Sequence, residues 1–271
     1  MWLVVKINTM DLLKITEDTV VLIREVGQYI RSEAEKFDYN VVEEKGLNDL
    51  VSYVDKTAEQ QLVDGLNKIL PEAGFITEEG TAGHSSEQYK WVIDPLDGTT
   101  NFTHGLPVYA VSVALMDGDV LVAGVVYEIN KDEMFHATKN GGAWLNDNRI
   151  SVSGRTKLSE SLLATGFPYY DFDQMEAYLQ ILNEFMQTTH GLRRMGSAAV
   201  DLAYVACGRF EGFFEYNLKA WDVAAGCLLV KEAGGNVIDF KSGKNYLFGK
   251  EIIAGGIVLD EMHAVINKYW N

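Results

Sequence analysis

The sequence predicts a chain that joins an α+β half to an α/β half, and three observations predict it. Two stretches before residue 70 carry apolar residues near helical spacing, short β-rich runs with turn dipeptides follow up to residue 145, and strand-like and helix-like runs alternate from residue 162 onward. At 271 residues with 47% apolar and 11% aromatic content, the chain is long and apolar enough for one large domain or two closely joined halves.

Residues 1–10 are expected to form a disordered extension: the stretch is too short for a secretion signal and lacks a basic start, and Met10-Asp11 looks like the start of the first helix. Residues 11–37 then place Leu12, Ile15, Leu22, Val26, Tyr29 and Phe37 near helical spacing. A second helix is predicted from Asp55, with Ala58, Leu62, Leu66 and Ile69 on one face and Pro71 ending it. Phe75-Ile76-Thr77 and Trp91-Val92-Ile93 read as short strands around a polar loop at 81–89. The runs 108–116 and 120–129 flank Asp117-Gly118-Asp119, a hairpin signal, and 134–137 and 143–145 extend the antiparallel pattern. Beyond that, strands are predicted at 162–165, 210–216 and 252–254, and helices at 173–187, 198–206, 222–233 and 257–268. The expected division is 11–150, holding most of the site acids, and 151–271; no Pro/Gly/Ser-rich linker separates them.

Charge and composition narrow the function. A formal net charge of −16 disfavours nucleic acid and anionic lipid as partners. Cys207 and Cys227 lie in apolar, alanine-rich surroundings without a CxxC spacing, so two buried thiols in a reducing, cytoplasmic compartment are expected. The five histidines show no ligand spacing. No apolar run approaches the roughly 18–20 residues of a membrane span, so no membrane association is expected.

The chemistry concentrates in residues 91–107. The apolar run Trp91-Val92-Ile93 ends in two aspartates, Asp94 and Asp97, followed by Gly98-Thr99-Thr100. Negative charge gathered at a strand end is costly unless a cation sits there. The glycine and threonines supply N–H groups and hydroxyls of the kind that hold phosphate at a helix start. Two other apolar runs end in acids, Phe75-Ile76-Thr77-Glu78-Glu79 and Ala220-Trp221-Asp222. Oxygen ligands from Glu78, Asp94, Asp97 and Asp222 suit two or more magnesium ions, and Pro95 can aim the Leu96 carbonyl at one of them. Such a site can polarise phosphate and lower the pKa of a water nucleophile. Each piece alone is a common turn or helix start; their combination is not. An EF-hand fails on register, because Asp94 and Asp97 are three apart. An aspartyl-phosphate mechanism of the haloacid dehalogenase type would need its nucleophile at position 95, which is proline. No GxxxxGK[ST] phosphate loop occurs.

These residues resemble the inositol monophosphatase family, within the magnesium-dependent, lithium-sensitive phosphatases. The resemblance rests on Asp94-Pro95-Leu96-Asp97-Gly98-Thr99-Thr100-Asn101-Phe102, on Trp221-Asp222-Val223-Ala224-Ala225-Gly226 with Glu232-Ala233-Gly234-Gly235, on Gly196-Ser197-Ala198-Ala199, and on Asn48-Asp49-Leu50-Val51 with Asp55. It implies a layered αβαβα sandwich, a homodimer, and two or three Mg2+ ions. Glu78, Asp94 and the Leu96 carbonyl would hold the first ion, Asp94, Asp97 and Asp222 the second, and Glu78 would lean on a weaker third. Gly98 and Thr99 would bind phosphate through their N–H groups, Thr99 paired with Asp55 would orient the attacking water, and Glu79 would support them. Glu215 would accept hydrogen bonds from sugar or inositol hydroxyls, with the Ala198 backbone lining the same pocket. The spacing from Lys45 to Asp49 is one residue shorter than in many relatives.

The implied reaction is hydrolysis of a small phosphorylated polyol or sugar, inositol monophosphate above all. Fructose 1,6-bisphosphate and 3′-phosphoadenosine 5′-phosphate are the alternatives on the same scaffold, and a purely binding role is disfavoured because every matched acid and Thr99 are present. Glu215 argues for a polyol and against a second phosphate nearby, although Lys219, Arg193 or Arg194 could offset it. Arg193 and Arg194 could equally serve a dimer interface.

Overall fold

A computed structural model of the chain describes residues 10–37, 43–46, 49–51, 53–82, 87–168 and 172–270, with backbone only for 43–51. Of the expected extension at 1–10, residues 1–9 lie outside this description, as do Asn48 and the side chains of Lys45 and Asp49, whereas Met10 is half-buried and packs against the core beneath the first two helices.

Helix α1 (Leu12–Ala34) begins where the Asp11 carboxylate accepts the Lys14 N–H at 3.1 Å, and it buries Ile15, Ile23, Val26 and Ile30. Strands β1 (Glu43–Gly46) and β2 (Asp49–Val51), absent from the sequence prediction, form a short antiparallel pair. Helix α2 (Tyr53–Ile69) starts two residues before Asp55 and buries Val54, Ala58, Leu62 and Leu66. Both helices cover one face of a seven-stranded sheet. Its first strands are β3 (Gly74–Thr77) and β4 (Tyr89–Asp97), which run parallel. The five-residue helix α3 (Thr99–Thr103) follows β4. An antiparallel meander completes the sheet: β5 (Ala110–Asp117), β6 (Val120–Glu128), β7 (Glu133–Thr138), β8 (Gly142–Leu145) and β9 (Asn148–Ile150).

The second sheet is mixed. Its strands are β10 (Leu162–Thr165), β11 (Gly191–Arg193), β12 (Gly212–Tyr216), β13 (Asn236–Ile238) and β14 (Glu251–Gly255), in the order β11-β10-β12-β14-β13. Strand β10 is parallel to β11 and β12, whereas β14 is antiparallel to β12 and β13. The helices are α4 (Met175–Thr188), α5 (Ala198–Ala206), α6 (Ala220–Glu232) and α7 (Leu259–Ile266).

The layers run α1 and α2, seven-stranded sheet, α5 and α6, five-stranded sheet, α4 and α7. The middle helices explain their own composition. Every residue of α5 is buried, as a helix covered on both sides must be, and small side chains keep the layer thin. Cys227 is buried there as expected; Cys207, at the end of α5, is only half-buried because it caps the helix where the chain turns outward.

Helix α6 approaches the first sheet at Gly124, where an added Cβ would meet the Ala225 Cα and carbonyl oxygen at 3.1 Å. Both contacts are backbone and cannot swing aside. Gly124→Val is therefore expected to cost about 1–3 kcal/mol, read as a lower urea midpoint at unchanged m-value.

Candidate active site

The site begins with a fault in β4. Asp94 pairs with Ser112 of β5 and Asp97 with Ala110, so three steps along β4 match two along β5. Alternation alone would send residues three apart to opposite faces of the sheet. One extra residue at Pro95-Leu96 corrects the phase, and both aspartates line one cleft. Pro95 has no N–H for the ladder, which makes it compatible with the bulge. The Leu96 N–H turns to Asp94 Oδ1 at 3.0 Å instead.

Gly98 ends the strand at φ +98°, with space for no Cβ: one would meet the Val108 carbonyl at 3.0 Å and the Gly196 carbonyl at 3.2 Å. Thr99, first in α3, sets its Oγ1 at 2.8 Å from Asp55 Oδ1 and 3.0 Å from the Leu96 carbonyl oxygen. Asp55 is buried on α2, so the expected Thr99–Asp55 pairing is present.

The second sheet's helices close the cleft. Asp97 Oδ2 accepts from Ser197 Oγ at 2.7 Å and from the Ala199 N–H at 2.6 Å, at the start of α5. Asn101 Nδ2 adds bonds to the Val108 and Met195 carbonyls at 2.7 and 2.8 Å. Asp222 lies in the first turn of α6 and accepts the Lys219 N–H at 2.6 Å. Glu215 on β12 is buried, and it lines the cleft together with Ala198, the first residue of α5.

The cleft has a volume of about 430 Å³, within the range of small-molecule sites. Glu78, Asp94, Asp97, Asp222, Glu215 and Asp201 supply six carboxyls to its wall, against two basic side chains, Arg194 and Lys219. Burial, then the charges of Glu78, Asp97 and Asp222, push the Asp94 carboxyl well above the usual range. Burial pushes Asp97 up to about 6, against the hydrogen bonds from Ser197 and Ala199. Burial and the Asp97 charge push Asp222 up to about 7, opposed by the Lys219 N–H and ammonium. Glu215 is raised well above the carboxylate range by burial and by Asp222, with Arg194 opposing.

No three His, Cys, Asp or Glu among the described residues are drawn tightly enough together to form a ready metal cage. The donor chemistry nevertheless fits a hard divalent cation. Every candidate ligand is an oxygen, no His or Cys lines the cleft, and the crowded acids lack enough cationic neighbours to balance them.

Glu79 is half-buried and does not line the cleft; its N–H is anchored at 2.7 Å by Glu59 Oε2. Glu59 was not foreseen. It is fully buried, also accepts from the N–H and hydroxyl of Thr81 at 2.9 and 2.7 Å, and so pins the strand end that presents Glu78. The signal was in the sequence: Glu59 is four residues past Asp55, on the same helix face. Ser197 was readable as the cap of the alanine-rich helix, and its hydroxyl does serve the Val200 N–H at 3.3 Å. Arg194 faces the cleft mouth with its guanidinium 5.7 Å from the Phe167 ring centre. Asp201, also unforeseen, is buried in α5, and its Oδ1 has no hydrogen-bond partner among the described residues.

The comparisons with known proteins agree with one another. Residues 11–270 match the Inositol monophosphatase family. The chain is 44% identical over 216 residues to a protein named inositol-1-monophosphatase in Mesorhizobium japonicum, covering 79% of this chain and 81% of the other. It is 44% identical over 233 residues to the Nus factor SuhB of Escherichia coli K12, covering 86% and 87%. The crystal structure of extragenic suppressor protein SuhB from Bartonella henselae superposes with a TM-score of 0.89 at 39% identity, covering 94% and 99%.

Burial, then the charges of Glu215 and Asp97, raise the Asp201 carboxyl well above its ordinary value near 4. A carboxyl that holds its proton longer in the fold than in the unfolded chain favours folding at low pH and loses that contribution as pH rises. Asp201→Asn should therefore raise the thermal midpoint at pH 8 and change it less at pH 5.

Proposed function

The chain belongs to the inositol monophosphatase family, and we propose that it is a magnesium-dependent phosphatase of inositol monophosphate or a similar polyol or sugar monophosphate. The observation that carries this reading is the pairing of Thr99 with buried Asp55 beside the Asp94, Asp97 and Asp222 carboxyls, in a cleft that Glu215 also lines.

Glu78, Asp94, Asp97, Asp222 and the Leu96 carbonyl would hold the ions. Bound magnesium polarises the phosphate and stabilises charge on the leaving oxygen. The protein's own groups do the rest. The Gly98 and Thr99 N–H groups, at the start of a helix that cannot use them, hold the phosphate oxygens. Thr99 Oγ1 donates to Asp55 Oδ1 and so offers its lone pair to the attacking water. The water proton passes to Thr99 Oγ1 as the threonine's own proton moves to Asp55. The water oxygen bonds to phosphorus, the bond to the polyol oxygen breaks, and that oxygen takes up a proton from solvent water while Asp55 returns its proton to solvent, giving the free polyol and inorganic phosphate. Glu79 supports the ligand set through the segment that Glu59 pins. Glu215 accepts from the polyol hydroxyls, and Ala198 lines the same cleft. The complete acid set speaks for turnover rather than a binding role.

A panel of inositol, sugar and nucleotide phosphates with magnesium, ranked by kcat/KM, tests the substrate class; release of phosphate from none of them would sink the proposal. Asp94→Asn and Asp222→Asn should each lower kcat by about 100-fold or more with circular dichroism unchanged. Near-normal rates would remove both from the ligand set.

Metal binding can be read without activity. Asp97 and Asp222 release protons near pH 6 and 7 in the fold, against about 4 when unfolded, so the metal-free fold weakens as pH rises from about 4 to 7. Protons compete with the cation for the same oxygens. Saturating magnesium should raise the melting midpoint by roughly 5–10 °C at pH 8, and by clearly less at pH 5.

A further inference from the structure

Gly166 follows β10, and the register sets it beside Glu215: Thr165 of β10 pairs with Phe214 of β12. The Glu215 carboxyl occupies the space where a side chain at 166 would be. An added Cβ would sit 2.0 Å from Glu215 Oε1 and 2.1 Å from Cδ and Oε2. The backbone of Gly166 is not in the left-handed region, so glycine is not required there by φ. What excludes a side chain is the carboxyl of one residue and nothing else within the nearest contacts.

The backbone at 166 is also held from behind. Tyr178 Oη donates to the Gly166 carbonyl at 3.0 Å and lies 2.6 Å from Thr165 Oγ1, which in turn reaches the Phe214 carbonyl at 2.9 Å. Tyr178 and Thr165 are both buried. Two hydroxyls thus tie β10 to the strand that carries Glu215, and neither strand can retreat to admit a larger residue. The flexible partner is the Glu215 carboxyl.

We propose that Gly166 is a specificity-determining positioning residue: by having no side chain it seats the Glu215 carboxyl against the cleft wall, at the height where it reads the hydroxyls of a polyol leaving group. The proposal rests on the reading above that Glu215 binds the polyol. It predicts how a methyl at 166 acts. Restoring ordinary contact, from 2.0 to 3.4 Å, drives the carboxyl outward by more than an ångström into the space of the leaving group. The phosphate end, on α3 and β4, is untouched.

The test compares Gly166→Ala with Glu215→Ala and the double variant on two substrates with magnesium. Inositol 1-phosphate carries hydroxyls on its leaving group, and p-nitrophenyl phosphate carries none. Gly166→Ala should lower kcat/KM for inositol 1-phosphate by about 10- to 100-fold, chiefly through KM, as for the loss of one hydrogen bond to a charged group. Its rate on p-nitrophenyl phosphate should stay within about twofold, and the magnesium-induced rise in melting midpoint should be unchanged. In the Glu215→Ala background, adding Gly166→Ala should cost nothing further. Equal losses on both substrates, or no loss where Glu215→Ala is selective, would overturn the proposal. So would failure of Gly166→Ala to fold, since the carboxyl and not the backbone is argued to give way. If Glu215→Ala is itself unselective, the polyol reading falls, and this inference falls with it.

Discussion

One extra residue in β4 governs the cleft. Without the bulge at Pro95-Leu96, strand alternation would put Asp94 and Asp97 on opposite faces, one toward α1 and α2 and one toward α5 and α6. With it, both acids face the seam between the sheets, and the chain turns at Gly98 straight into α3. The same fault thus produces paired carboxyls and a helix start within five residues, 94 to 98. A substitution that restored a regular ladder would lose both together.

The bulge also sets what the rest of the fold must supply. Asp97 reaches from β4 to the Ser197 hydroxyl and the Ala199 N–H, so the acid that faces the cleft also holds the first sheet to the start of α5. Asn101 repeats the stitch one turn later at Met195. Glu59 does the same for the segment bearing Glu78. Each of these anchors satisfies a carboxyl or amide with backbone groups and neutral hydroxyls, which fixes geometry without placing a cation in the cleft. The negative charge is only partly balanced, by Arg194 and Lys219, and the fold tolerates it because the thin layer of wholly buried α5 and largely buried α6 secures both sheets around it. Local cost at the site is balanced by packing elsewhere.

How much of this was legible depended on whether a residue's role was local. The strand 162–165 and the helix 198–206 match their predicted bounds, because a β-rich run between turns and an alanine-rich run after Ser197 carry their own signal. Strands β9, β11 and β13 have three residues each and were missed, since so short a run shows no periodicity and exists only through its neighbours. The Thr99–Asp55 pair was legible only through resemblance, as the two lie 44 residues apart. Gly166 was not legible at all. Before Phe167-Pro168 it reads as a turn glycine, and its meaning comes from Glu215, which the sheet register alone brings beside it.

The lining of the cleft bears on the choice between a monophosphate and a bisphosphate. A phosphate carries close to two negative charges at neutral pH. At the start of α3 the first-turn N–H groups and the proposed ions would meet that charge. Near Glu215, a second phosphate would face that buried carboxyl and the Asp201 carboxyl, which also lines the cleft and feels its charge. Only Arg194 and Lys219 among the lining residues could answer. Arg194 already lies against Phe167 at the mouth, and Lys219 heads the helix that bears Asp222. Acceptors that no cation saturates are what hydroxyl donors require, and what a second phosphate cannot use. That asymmetry, more than the size of the cavity, favours a monophosphate whose leaving group is rich in hydroxyls.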